Sequence, residues 1–230
     1  MATLVMKGCQ QLGIEKVISL GSSCQYPRDA EQPFEVSSLG TGSFEETNWG
    51  YALAKENLRH MGDQLGYKML IPPNLYGPGD KSGPNSHFIQ ALVDKAVALP
   101  VERNRGILTC NMMGSPKTER ELLYIDDLAK MVVIAAEDYD WIPRVTNIGW
   151  NWKPPTIGCI WNLILLAAEK VGVSSSWDDL NIGMPTKSMS VPFTLESHFR
   201  NTGIDPTGLD SGIHQTVKST MAWARIAAEK

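Results

Sequence analysis

The sequence predicts an α/β fold built on a parallel sheet, and three observations carry that prediction. Residues 2–14 set Leu4, Val5, Cys9 and Leu12 at helical spacing, with Gly13 as a stop signal. Lys16-Val-Ile-Ser-Leu20 then reads as a short buried strand running into Gly21. Helix, tight turn and apolar strand form the second half of a strand–helix–strand crossover, and crossovers join parallel strands. The same alternation recurs where a helical pattern from Asn48 to Gly66 meets the strand Tyr67–Leu70, and again from Leu122 to Gly149. A crossover needs a strand ahead of its helix, so the expectation is that the chain starts inside its own sheet.

Each element follows in order. Residues 25–47 are polar and interrupted by Pro27, Pro33, Gly40 and Gly42, the composition of a long ordered loop of the kind that lies over active sites. The helix at 48–66 and the strand at 67–70 lead into Ile71-Pro72-Pro73, and Asn74–Asn85, rich in Gly, Pro and Asn, reads as loop. His87–Leu99 is predicted helical and Gly106–Met112 a strand. Leu122–Ala136 is a strand end followed by a helix whose N-terminus holds Asp126 and Asp127, where the helix dipole favours carboxylates. Val145–Gly149 is a strand, Thr156–Val171 an amphipathic helix capped by Gly172, and Ser211–Ala228 the last helix.

Composition excludes several classes of function. Hydrophobic residues make up 43% and charged ones 20% of 230 residues, an ordinary globular balance with length enough for a real core. The 21 Lys and Arg against 25 Asp and Glu leave a net charge of −4, with no basic stripe for a nucleic-acid backbone. Cys9, Cys24, Cys110 and Cys159 stand far apart, so neither a zinc site nor a disulfide framework is expected. No leader pattern or long apolar run occurs, which makes a cytoplasmic location and no membrane partner the expectation.

Two clusters have chemical potential. In Tyr51-Ala-Leu-Ala-Lys55 the phenol and ammonium fall on one face of a helix, and a cation beside a phenol favours phenolate, which suits general acid–base work. An exposed tyrosine beside a solvated lysine is the competing reading. Gly21-Ser22-Ser23-Cys24 sits where the first strand ends, and ligands of open α/β sheets lie outside the carboxyl ends of their strands. There the competing readings are serines as turn formers and a thiol packed as a small hydrophobe. No Gly-x-Ser-x-Gly elbow accompanies them, which disfavours a serine hydrolase using Ser22 and His87.

A serine-rich strand end, a Tyr-x-x-x-Lys helix about thirty residues on and a strand running into a Pro/Asn loop is the order of the short-chain dehydrogenase/reductases. Leu20-Gly-Ser-Ser-Cys-Gln-Tyr-Pro27, Glu45-Glu-Thr-Asn48, Pro73-Asn-Leu-Tyr-Gly-Pro-Gly-Asp80, Asn85-Ser-His87 and Arg120-Glu-Leu-Leu-Tyr-Ile-Asp-Asp127 resemble, in more detail, the GDP-L-fucose synthases. Those are extended short-chain reductases of the NAD-dependent epimerase/dehydratase group. The resemblance implies a partial Rossmann-like sheet over residues 1–80, without the N-terminal βαβ unit and its Gly-rich loop. It also implies a small α/β substrate-binding domain over 81–230, with 120–149 returning to the Rossmann part.

The implied activity is NADPH-dependent 3,5-epimerisation and 4-reduction of a GDP-4-keto-6-deoxy-sugar. By the resemblance Tyr51 gives a proton to the C4 ketone, Lys55 holds the nicotinamide ribose, and Ser22 bonds the C4 oxygen. Cys24 and His87 would be the base and acid of epimerisation. Leu20, Gly21, Ser22, Ser23, Tyr51, Lys55, Pro73, Asn74, Leu75 and His87 would line NADP(H), while Lys95 and Arg120 would face the substrate phosphates. Arg120 as a surface partner of Glu119 or Glu121 is the competing reading.

The chain departs from the pattern in places. Its early Gly40-Thr-Gly42 follows no strand and opens no helix, so it is not the pyrophosphate turn. Pro73 replaces a threonine, Met113 stands at an aromatic position, and Ser190–Phe193 lacks the family's basic residues. The expected partners are a nucleotide-sugar and either a second copy in a homodimer or a chain completing the cofactor domain. The alternatives carried forward are a catalytically inactive binding or assembly module and a related nucleotide-sugar epimerase or reductase.

Overall fold

The computed structural model describes residues 2–100, 108–170, 173–178 and 188–228. The chain divides into two compact units. The first comprises Met1–Asn74, Glu121–Lys153 and Lys187–Pro206, and the second Leu75–Arg120, Pro154–Thr186 and Thr207–Lys230.

The first unit holds a parallel sheet, as expected. Strands β1 (Ile18–Leu20) and β6 (Val145–Asn147) flank β2 (Lys68–Ile71), pairing Ser19 with Met69 and Leu70 with Thr146. The central position of β2 matches its sequence, since Met69, Leu70 and Ile71 are all buried. Helices α1 (Ala2–Gln11) and α2 (Trp49–Leu65) form one layer of its core, where Met6 and Leu58 meet Tyr67, Met69 and Ile71. Both helices end as their glycines predict. Gly13 and Gly66 take positive φ, and the following amides close back on Cys9 and Gly62 at 2.9 and 2.8 Å.

The polar segment 25–47 is an ordered loop with short 3-10 turns at Val36–Ser38 and Glu46–Asn48. Tyr26 and Phe34 anchor it, stacked at 4.8 Å in the core. Two further elements of this unit agree with the sequence, β5 (Leu122–Tyr124) and α4 (Ile125–Glu137). Buried Asp127 in the first turn of α4 accepts a hydrogen bond from Trp150 Nε1 at 3.1 Å. Helix α6 (Phe193–Asn201) escapes the sequence pattern because its buried stripe is only Leu195 and Phe199.

The second unit packs α3 (Phe88–Ala98), α5 (Ile157–Ala167) and α7 (Leu209–Ala228) with a parallel pair, β4 (Leu108–Met113) and β7 (Val173–Asp178). Of the strand predicted at 106–112, Gly106 and Ile107 lie outside the described residues. Strand β7 was not predictable from its Ser-Ser-Ser centre; pairing with β4 creates it. Two expectations are corrected. Asn74–Tyr76 is an extended strand, β3, within what reads as loop, because the Asn74 amide and side chain both donate to Glu121 O. Helix α5 stops at Ala167 rather than near Val171; the predicted cap Gly172 lies outside the described residues, and Glu169 adopts the left-handed turn at φ 56°. Among the described residues no helix is long and apolar enough to cross a membrane.

Candidate active site

The site is built where β1 ends. The Gly21 amide continues the ladder by donating to Leu70 O at 2.8 Å, and its backbone lies so close to the next turn that a Cβ would fall 2.6 Å from Gln25 Oε1. It would also fall 2.9 Å from Ile71 Cγ1 and Met69 Sδ, so a side chain there would force these buried neighbours to shift. Ser22 caps the 3-10 turn Ser23–Gln25: its Oγ accepts from the Cys24 amide at 3.3 Å, and its own amide donates to Gln25 Oε1 at 2.8 Å. The Ser22 hydroxyl acts as acceptor in this cap, so its proton is left to donate elsewhere. The turn-forming and chemical readings of this serine therefore coexist.

Helix α2 brings up the second half. Tyr51 and Lys55 occupy positions i and i+4, and Lys55 Nζ lies 5.7 Å from the Tyr51 ring centroid. The ammonium donates to Leu20 O at 2.8 Å, tying α2 to the end of β1. Burial lowers the Lys55 pKa from its ordinary value. The Tyr51 ring stays half exposed at 51%, so the phenol is open to a bound molecule. Cys24 is a free, half-buried thiol two residues from the Ser22 cap. Ser23 is buried beneath the turn, and Pro73 is buried just beyond β2. Leu20, Gly21, Ser22, Ser23, Tyr51, Lys55, Pro73 and Asn74 thus all belong to the first unit, grouped at or reaching toward the carboxyl ends of parallel strands.

Leu75, His87, Lys95 and Arg120 belong to the second unit. His87 opens α3 with an 80% exposed side chain, and its Nδ1 lies 2.9 Å from Asp80 Oδ1. Lys95 Nζ donates to Asn111 O. Arg120 is buried rather than a surface group, and its Nη1 donates to Glu119 O at 2.8 Å.

Four residues were not singled out from sequence. Asp80 orients His87, and its place seven residues upstream in the Gly-Asp80 motif was the available signal. Gln25 and Glu56 are buried polar residues between Ser22 and α2, and nothing in their spacing announces it. Glu121 is buried, with Oε2 accepting from the Met189 amide at 2.6 Å and Oε1 without a partner among the described residues. Burial pushes its carboxyl up to about 7 against the opposing amide bond.

A serine hydroxyl at the end of β1 and a phenol with an ammonium beside it on α2 are residue types that can polarise and protonate a carbonyl oxygen. The chain is similar to known proteins in sequence and fold. The family model described as NAD dependent epimerase/dehydratase family matches residues 1–149. GDP-L-fucose synthase 1 of Arabidopsis thaliana is 37% identical over 225 residues, covering 93% of this chain and 66% of that protein. GDP-L-fucose synthase of Azorhizobium caulinodans is 32% identical over 227 residues, covering 94% and 69%. GDP-L-colitose synthase of Yersinia pseudotuberculosis is 35% identical over 144 residues, covering 59% and 46%. The chain therefore spans about half to two thirds of the length of these relatives. In fold it matches a GDP-L-fucose synthetase from Naegleria fowleri bound to NADP, with TM-score 0.82 and 21% identity over 97% of this chain and 71% of that one.

Proposed function

The chain belongs to the NAD dependent epimerase/dehydratase family, and from that premise we propose that it serves the NADPH-dependent conversion of GDP-4-keto-6-deoxy-D-mannose to GDP-L-fucose. The observation that carries the reading is Lys55, one helical turn after Tyr51, bonded to Leu20 O at the end of β1, two residues before Ser22. The residues present suit the nicotinamide end of the cofactor: a half-exposed phenol, a lysine anchored at a strand end, and Pro73 and Asn74 following the neighbouring strand. NADPH, when bound, supplies the hydride.

The chain's own residues handle protons and position. Tyr51 donates its phenolic proton to the C4 oxygen as negative charge develops there, and Ser22 donates a second hydrogen bond to the same oxygen. The Lys55 ammonium stabilises the phenolate left behind, and its partly buried setting strengthens that attraction. Epimerisation at C3 and C5 removes a proton alpha to the ketone and returns one to the opposite face. A thiol at Cys24 and an imidazole at His87 are the side-chain types for that exchange. Asp80, 2.9 Å from His87 Nδ1, orients the ring.

The test is NADPH oxidation with the 4-keto sugar nucleotide, with and without the Tyr51→Phe change. Turnover by the wild type and a loss of at least about a hundredfold in the variant are expected. Equal turnover by both would overturn the assignment. Cys24→Ser should slow solvent deuterium uptake at C3 and C5 while leaving reduction of a pre-epimerised substrate intact. Reduction of a different GDP-sugar in preference would move the substrate toward the reaction that the Yersinia relative is named for.

A further inference from the structure

Glu56 follows Lys55 on α2, yet its carboxylate is buried at 5% exposure and no step above uses it. A buried carboxylate persists only when its oxygens are satisfied. Arg59 supplies most of this from one turn along the same helix, with Nε 3.0 Å from both oxygens and Nη2 2.5 Å from Oε1, and Arg59 also pairs with Asp63 at 2.9 Å. His60 Nε2 stands 3.3 Å from Oε1. All these partners belong to α2. The bond that leaves the helix comes from Gln25, whose Nε2 donates to Glu56 Oε2 at 3.2 Å.

Gln25 is fully buried, and its other end accepts the Ser22 amide at 2.8 Å. A continuous path therefore runs from the α2 backbone through Glu56 and Gln25 to the backbone of Ser22. Beside it runs the Lys55 bond to Leu20 O at 2.8 Å. Two consecutive residues of α2 thus hold two points of the β1 exit, two residues apart. One tether sets the distance of the helix from the strand end; the pair also sets the orientation of the turn that presents the Ser22 hydroxyl. Ion pairing within α2 needs no glutamine, and the other contact of the Gln25 amide, Nε2 to Met69 Sδ at 3.7 Å, is to a weak thioether acceptor. A hydrophobic residue at position 25 would fill the same space.

We propose that Gln25 and Glu56 are positioning residues that hold the Ser22 hydroxyl in register with the Tyr51 phenol, an inference that rests on the reductase reading of this site. The experiment compares Gln25→Leu, Glu56→Leu and Glu56→Gln with the wild type by steady-state kinetics and by amide hydrogen exchange resolved at Ser22. Gln25→Leu and Glu56→Leu should lower kcat for 4-keto reduction about tenfold by displacing a donor from the transition state, with KM for NADPH unchanged within about twofold. Glu56→Gln keeps an acceptor for Gln25 and should retain wild-type kcat. In both leucine variants exchange at the Ser22 amide should accelerate at least about tenfold, while the Met69 amide in the central strand stays protected.

Unchanged kcat in Gln25→Leu, or unchanged Ser22 exchange in Glu56→Leu, would overturn the inference. If Glu56→Leu does not fold, Gln25→Leu decides both readouts, since it removes no charge partner. A wild type without turnover would overturn the reductase reading instead, and Ser22 exchange would still decide whether the tether exists.

Discussion

Asn147 is fully buried at the end of β6, and its whole side chain is bonded. Oδ1 accepts from Tyr26 at 2.5 Å, and Nδ2 donates to Phe34 O and Ser190 O at 2.9 and 3.0 Å. One side chain thus joins the sheet, the long loop and the segment before α6. Asn147→Leu takes a bond from the buried Tyr26 phenol, from Ser190 O and from Phe34 O, which keeps the Ser190 amide at 3.0 Å, and should destabilise the chain by about 2–4 kcal/mol in urea unfolding. An unchanged midpoint would show that the loop is held by its apolar contacts alone. Burial raises the Tyr26 pKa, so this phenol stays a donor across the neutral range. At this scale the sequence is uneven. Tyr51, Lys55 and Ser22 are legible because helical spacing and a strand end constrain them locally. Gln25, Glu56 and Asn147 are not, because a polar residue is recognisable as buried only once partners distant in the chain surround it.

The helix ends show the same contrast between elements. Gly13, Gly66 and Gly203 close α1, α2 and α6 in left-handed turns, whereas α5 closes with Glu169 at φ 56°, its amide donating to Leu166 O and the Lys170 amide to Leu165 O. A side chain in that conformation is strained, so Glu169→Gly should raise stability by about 0.5–1 kcal/mol, measured as a higher thermal midpoint. In α7 the sign reverses. Propensity alone favours Gly212→Ala by about 1 kcal/mol in a helix interior. A Cβ there would lie 2.4 Å from Tyr76 Oη, so the substitution should instead destabilise by about 1–3 kcal/mol. A stabilised Gly212→Ala would mean that the Tyr76 ring moves aside freely. Elements with strong local periodicity or glycine punctuation were readable, as α2 and α4 show. Strand β7 and helix α6 were not, because serines and a two-residue stripe leave formation to distant pairing.

For the molecule as a whole, Glu121 links stability to pH. Its carboxyl rises from 4.5 to about 7, mainly through burial, so the native state holds its proton more tightly than the unfolded chain. The stabilisation is complete below pH 4.5 and is lost as pH rises through about 7, a change on the order of 3 kcal/mol. Urea midpoints measured across that window should fall with rising pH, and Glu121→Gln should flatten the fall. A wild-type midpoint independent of pH there would show that the carboxyl is solvated. The sequence by itself determined the fold class, the parallel sheet and the i, i+4 placement of Tyr51 and Lys55 on a helix after a serine-rich strand end, because periodicity, strand ends and helical spacing are local properties. Only the tertiary structure decided that Leu20 O is the anchor of Lys55, that Gln25 and Glu56 bridge the turn to the helix, and that Glu121 keeps one oxygen unpartnered among the described residues. Those facts depend on burial, and burial is settled by the folded chain as a whole.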